Sequence, residues 1–339
     1  LLSDESMAQI GRTLWQVLWL TLFIESVVVV AIYELVPGDT ISVADKLFFS
    51  VFHSISAFCN AGFSTISDSL IGFSHNSMFL GTFAVLIVLG GLGFPVLVNL
   101  LGHRFYGTEG PFGQKKLRMN MQTHIVLWVT AFLIAAGTVW IWITNYAAVG
   151  ETAITGKAIM ESLFQSITAR TAGFNTVRIG AMTVPALLGI MALMFIGASP
   201  GSTGGGIKTT TFFLSLQTIW TQLTGRPVVE YRHRAIPNKL LTRGMMLILA
   251  AGAVVFFSFT FLTIFEDQPP LRLLFEAISA FGTVGLSMGA TPELSEAGRI
   301  IITITMYLGR VGPMAFVMAL SRKQRKHNYE YPEESVMLG

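Results

Sequence analysis

The chain has 339 residues, 52% hydrophobic and only 12% charged, with a mean hydropathy of +0.63. A water-soluble protein carries about a quarter of its residues charged, so this composition excludes a soluble surface and calls for a bilayer. The balance of 22 basic to 19 acidic residues gives +3, too little to argue for nucleic acid; one cysteine excludes a disulfide framework within one chain, and six histidines show no metal-binding spacing.

In chain order, a short polar lead over residues 1–12 begins at Leu1 without a charged segment ahead of a short apolar core, so no signal peptide is expected. Six apolar stretches, at 13–36, 78–101, 124–147, 182–214, 243–265 and 298–320, are long enough to cross about 30 Å of hydrocarbon. Between the members of each pair lies a shorter apolar stretch, at 46–59, 156–170 and 271–281, whose length predicts a re-entrant helix.

Basic residues assign the sides. Arg104, Lys115, Lys116 and Arg118 follow the second span, Arg226, Arg232, Arg234, Lys239 and Arg243 the fourth, and Arg322, Lys323, Arg325 and Lys326 the sixth, which predicts that these loops and both termini face the cytoplasm. The other connections mix Lys46, Lys157, Arg178, Arg272 and Arg299 with Asp39, Asp45, Asp68, Glu151, Glu266, Asp267, Glu293 and Glu296, so the re-entrant helices enter from outside. The thirteen basic residues could meet an acidic protein or anionic lipid.

The re-entrant stretches repeat. Cys59-Asn60-Ala61-Gly62, Thr171-Ala172-Gly173 and Gly282-Thr283-Val284-Gly285 place their last glycines 111 and 112 residues apart, a parallel repeat of span, short helix, glycine loop and span. The predicted units are hairpins over 13–103, 124–224 and 243–321, with a tail over 322–339. A cation leaving water must exchange its hydration shell for oxygens, and glycine lets successive carbonyls face one axis. Thr283-Val284-Gly285 reproduces the core of a potassium-channel filter, and the helix C-termini add partial negative charge. The alternative is a set of capped helices in a packed bundle, but three such loops at equal spacing favour a filter.

The second span of each hairpin is interrupted, by Gly90-Gly91-Leu92-Gly93-Phe94-Pro95, by Gly197-Ala198-Ser199-Pro200-Gly201-Ser202-Thr203-Gly204-Gly205-Gly206, and by Leu308-Gly309-Arg310-Val311-Gly312-Pro313. The middle run cannot stay helical and is a candidate gate below the filter. The outer two fit either gating or close helix packing through small residues. Arg310, at membrane depth, needs a partner, for which Ser199, Ser202, Thr203 and the loop carbonyls are candidates. Lys208 reads equally as a second positive barrier or as a lysine reaching the inner interface. Arg170 is expected to pair with Glu161 or Glu25 and to be structural.

These segments together resemble the membrane subunit of Trk/Ktr-type potassium transporters, most closely the Ktr type. The likeness rests on Thr168–Thr176, Ser279–Ser287, Gly197–Thr210 and Gly309–Pro313 and extends over nearly the whole chain. It implies an all-α integral membrane fold with a potassium-channel-like, pseudo-fourfold pore of four hairpins. It also implies K+ uptake across the bacterial cytoplasmic membrane, no covalent cofactor and no enzymatic activity. A homodimer and a cytosolic nucleotide-binding regulatory ring (KtrA/TrkA-like) are the implied partners, and activation by Na+ stays open. In the family the broken middle helix is the gate, matched by residues 197–206, and the last-span arginine is matched by Arg310. Three hairpins stand where the family has four, so a first hairpin of roughly a hundred residues is expected ahead of Leu1, with Arg12 in the linker after it. A sodium-transporting member of the family is the nearer alternative. A broken-helix secondary transporter should show inverted rather than parallel repeats, and an enzyme should show converging acids, bases or ligands.

Overall fold

The computed structural model describes residues 4–36, 42–105, 119–147 and 156–312. Asp39, Lys115, Lys116, Arg118, Glu151, Pro313 and the tail over 322–339 lie outside the described residues. The protein is a helical membrane protein whose chain repeats one unit. In the first, α1 (Asp4–Leu35) leads to the short helix α2 (Val43–Phe58), then to α3 (Ser77–Leu92) and α4 (Phe94–Phe105). In the second, α5 (Met121–Ile141) runs on as a π-helical turn over Trp142–Ala147, followed by α6 (Gly156–Thr168), α7 (Val184–Phe195) and α8 (Thr209–Leu223). A two-stranded ribbon, β1 (Glu230–Tyr231) and β2 (Arg234–Ala235), leads to α9 (Asn238–Phe265), α10 (Pro270–Gly282) and α11 (Glu296–Val311).

Local chemistry starts these helices where they start. Ser42, Asn76, Asn120, Thr183 and Ser295 each accept a backbone N–H from the first turn of α2, α3, α5, α7 and α11. Residues 14–35, 121–147 and 238–265 are the described helices long and apolar enough to cross a bilayer unbroken. The remaining expected spans are not straight rods. The chain turns by 97° between α3 and α4, at Gly93. The stretch expected to span over 182–214 is helical only to Phe195 and again from Thr209, because Pro200 and the glycines around it cannot sustain the hydrogen-bond ladder.

The short helices bury their C-terminal ends inside, although α2 keeps Leu47, Phe48, Val51 and Ile55 exposed, and the long helices lie outside. Phe58, Phe164, Phe275 and Phe281 on α2, α6 and α10 are fully buried or nearly so, whereas Trp15, Trp19, Phe23, Phe256 and Ile264 on α1 and α9 are exposed. An exposed apolar belt on the outer helices is the pattern a bilayer requires. The first unit meets the second through α3 against α6, and the second meets the third through α7 against α10 and α8 against α9. The second unit therefore sits between the other two.

Candidate functional site

Each short helix delivers its glycine loop to the centre of the bundle with the same backbone. Asn60 and Gly62, Thr171 and Gly173, and Thr283 and Gly285 all have positive φ, from 51° to 88°, with one ordinary residue between the members of each pair. A left-handed residue at every second position turns successive carbonyls to one side, which an extended strand cannot do. Thr171 and Thr283 are β-branched, so their left-handed backbone is strained by about 1–3 kcal/mol and persists only because the surroundings hold it. The N–H groups of Ala61, Ala172 and Val284 bond back to Ser56, Thr168 and Ser279 of their own short helices at 2.8, 3.0 and 2.9 Å. The strands are thereby pinned from behind.

The strands converge. A Cβ on Gly62 would stand 2.5 Å from the Ala172 carbonyl oxygen, and one on Gly173 would stand 2.5 Å from that of Val284 and 3.5 Å from Gly285 Cα. Gly285 faces only Gly173, at 3.6 Å, so the three strands line successive sides of one axis. Cys59 and Gly282 close helices α2 and α10 and stand outside the left-handed alternation. Among the described residues no three His, Cys, Asp or Glu side chains gather as a metal site, so the oxygens offered at this axis are backbone carbonyls and threonine hydroxyls. Thr171 Oγ1 is buried without a hydrogen-bond partner. Such neutral oxygens suit an alkali cation.

Residues 196–208 lie against the same axis and touch all three loops. Gly205 N–H donates to Thr283 Oγ1 at 3.0 Å, and Thr203 Oγ1 donates to the Asn60 amide oxygen at 3.3 Å when that amide is turned to donate to the Ala57 and Ile87 carbonyls. A Cβ on Gly204 would collide with the side chain of Thr171. The segment is also tied sideways: Ser199 N–H donates to Gly91 O at 3.1 Å, and Phe94 N–H to Gly201 O at 3.2 Å. The glycine run thus crosses the axis at the Asn60, Thr171 and Thr283 end of the strands, with Gly197, Ala198, Pro200, Ser202 and Gly206 completing its turns.

Two cations hold it. Arg310 Nη1 donates to the Thr203 carbonyl, and Lys208 Nζ donates to the Gly204 carbonyl at 2.5 Å. Of the partners expected for Arg310, the loop carbonyl is the one found. Lys208 bonds inward to the loop, so reaching for the interface is not its arrangement. Arg170 departs from expectation: its Nη2 donates to Thr130 Oγ1 at 3.4 Å, its Nε has no partner, and neither Glu161 nor Glu25 pairs with it. Glu161 lies nine residues back on α6, about 13 Å along the helix. There it accepts from Tyr146 at 2.6 Å and faces Lys157 at 3.8 Å. The outer interruptions serve close packing: a Cβ on Gly90 would strike the Phe58 carbonyl, and one on Gly309 the Phe281 carbonyl.

A bundle of repeated span, short helix and glycine loop is the architecture of a helical membrane transport protein. Residues 1–330 match the TrkH family, described as cation transport protein, and the chain belongs to it. Among its relatives, Ktr system potassium uptake protein B of Vibrio alginolyticus is 38% identical over 296 residues, covering 86% of this chain. The chain spans 63% of that relative's length. The potassium/sodium uptake protein NtpJ of Enterococcus hirae is 35% identical over 305 residues, 87% of this chain and 65% of that protein. The crystal structure of the potassium transporter TrkH from Vibrio parahaemolyticus shares the fold, with a TM-score of 0.73 and 17% identity over 94% of this chain and 65% of that one.

Proposed function

We propose that this chain forms most of a transporter that takes up K+ across the bacterial cytoplasmic membrane through a carbonyl-lined filter, with an intramembrane gate. The observation that carries this reading is the convergence of three left-handed loops on one axis with no charged ligand among them. Residues 59–62, 171–173 and 282–285 are the filter, residues 197–206 with Lys208 and Arg310 the gate. A Cβ on Gly285 would meet only Gly173 Cα at 3.6 Å, which leaves space there for a further strand, in keeping with a fourth hairpin in the family's pore. Hairpins over 13–103, 124–224 and 243–321 are then its quadrants, and the lead over 1–12 and the tail over 322–339 are cytoplasmic.

A homodimer, a cytosolic nucleotide-binding regulatory ring and surrounding anionic lipid are the partners this reading takes. The basic loop around Arg232 and Arg234 offers them an exposed surface. A second reading, transport of Na+ or activation by it, is favoured by the name of the Enterococcus relative. Uptake of radioactive rubidium and sodium by cells lacking their own potassium uptake systems separates the two. Saturable rubidium uptake little inhibited by sodium supports K+ transport, and uptake of sodium alone overturns it.

A further inference from the structure

The three short helices share a second repeated feature behind the strands. His53 Nε2 bonds Ser64 Oγ at 3.0 Å, Gln165 Nε2 bonds Thr176 Oγ1 at 3.2 Å, and Ser287 Oγ bonds a carboxylate oxygen of Glu276. In all three the partners are eleven residues apart. The three helix side chains follow one another at 112 and 111 residues, the period of the filter itself. All are buried, with exposures of 0%, 1% and 5%.

Their targets are the hydroxyls just beyond the filter glycines: Ser64 and Ser287 two residues after Gly62 and Gly285, Thr176 three after Gly173. The serines pass the bond on. Ser64 Oγ accepts the Ile66 N–H at 3.1 Å, and Ser287 Oγ accepts the Gly289 N–H at 2.9 Å. His53 Nδ1 faces the Phe49 carbonyl at 2.9 Å and must donate there, so in the neutral ring Nε2 accepts from Ser64. Glu276 also accepts from Thr291 Oγ1 at 3.0 Å, and it has no basic partner among the described ion pairs.

One position of the repeat thus carries an imidazole, an amide and a carboxylate, each gripping the strand where it leaves the axis. A carbonyl cage tells apart ions that differ by a fraction of an ångström, so whatever fixes the strand ends fixes the cage. We propose that His53, Gln165 and Glu276 are positioning residues that set the cation preference of the filter by bracing its strands from behind. The proposal rests on the filter reading above.

The test measures KM for rubidium, inhibition by sodium and maximal rate in the complete transporter carrying Ser64→Ala, Thr176→Val, Ser287→Ala or Glu276→Gln, with Gly173→Ser in parallel. Each brace variant should raise KM for rubidium at least threefold and narrow the preference over sodium, while the maximal rate changes less than twofold. Glu276→Gln combined with Ser287→Ala should be no worse than either alone. Thr176→Ser, which keeps the hydroxyl, should retain the parent preference, and this comparison decides the matter if Glu276→Gln fails to insert. Preference and KM within twofold of the parent in the brace variants, with Gly173→Ser damaging, would leave the braces structural only. No effect from Gly173→Ser either would remove the filter reading and the proposal together.

Discussion

At the scale of single residues, the three glycines of the proposed filter are not equivalent. Gly285 would rank first by its Thr-Val-Gly neighbours, whereas packing predicts the opposite order. A side chain on Gly62 or Gly173 must enter the carbonyl of the next strand, whereas one on Gly285 meets only Gly173 Cα at 3.6 Å. Gly62→Ser and Gly173→Ser should therefore cut the preference for potassium over sodium by tenfold or more, and Gly285→Ser by less, as read from competitive rubidium uptake. Equal losses at all three would place the damage in backbone strain rather than in contact. Arg310 binds a carbonyl, and Arg310→Ala removes one of the two cations that hold the gate segment. Maximal uptake should rise several-fold in that variant with KM for potassium unchanged, because the proposed function sets affinity at the filter and rate at the gate. A transport-dead Arg310→Ala in correctly inserted protein would make this contact structural.

At the scale of elements, the segment over residues 197–206 proposed as the gate is a strap rather than a loose loop. Its hydrogen bonds reach Gly91, Phe94, Asn60 and Thr283, so moving it requires several of them to break together. Shortening residues 197–206 by about five residues removes those ties and should likewise raise maximal uptake without changing the potassium preference, measured by the same tracer. Gly90 and Gly309 seat α3 and α11 against the last carbonyls of α2 and α10. Gly90→Ala should destabilise the fold by about 1–3 kcal/mol, seen as a lowered midpoint of thermal unfolding in detergent, and should disturb the first filter strand. An unchanged midpoint would mean that α3 can shift without cost.

Much of this element plan is legible in the sequence, for physical reasons. Short apolar stretches between long ones, glycines at an even period and a Pro-Gly run within a span are local signals, and 43–58, 156–168 and 270–282 form near their expected bounds. The partners are not local. Arg170 finds Thr130 forty residues away, and Arg310 meets Thr203 across 107 residues. The turn at Gly93 is set by contact with Gly201. The ribbon over Glu230–Ala235 rests on Arg232 and His233 adopting positive φ, for which arginine gives no signal and histidine only a weak one.

At the scale of the whole molecule, three repeated units lie side by side, with the second between its neighbours. The cytoplasmic surface proposed for a partner includes the exposed ribbon with Arg232 and Arg234. Charge reversal at both should loosen co-purification of an acidic regulatory subunit, and retention at the parent level would assign these residues to lipid headgroups. The central claim is that potassium is chosen by carbonyls held on this axis. It is tested most directly by rubidium uptake into cells without their own potassium systems, with sodium as competitor, for the complete parent protein and for Gly173→Ser at equal membrane abundance. The account predicts saturable rubidium uptake that sodium barely inhibits in the parent and strongly inhibits in the variant; indistinguishable sodium inhibition in the two would contradict it.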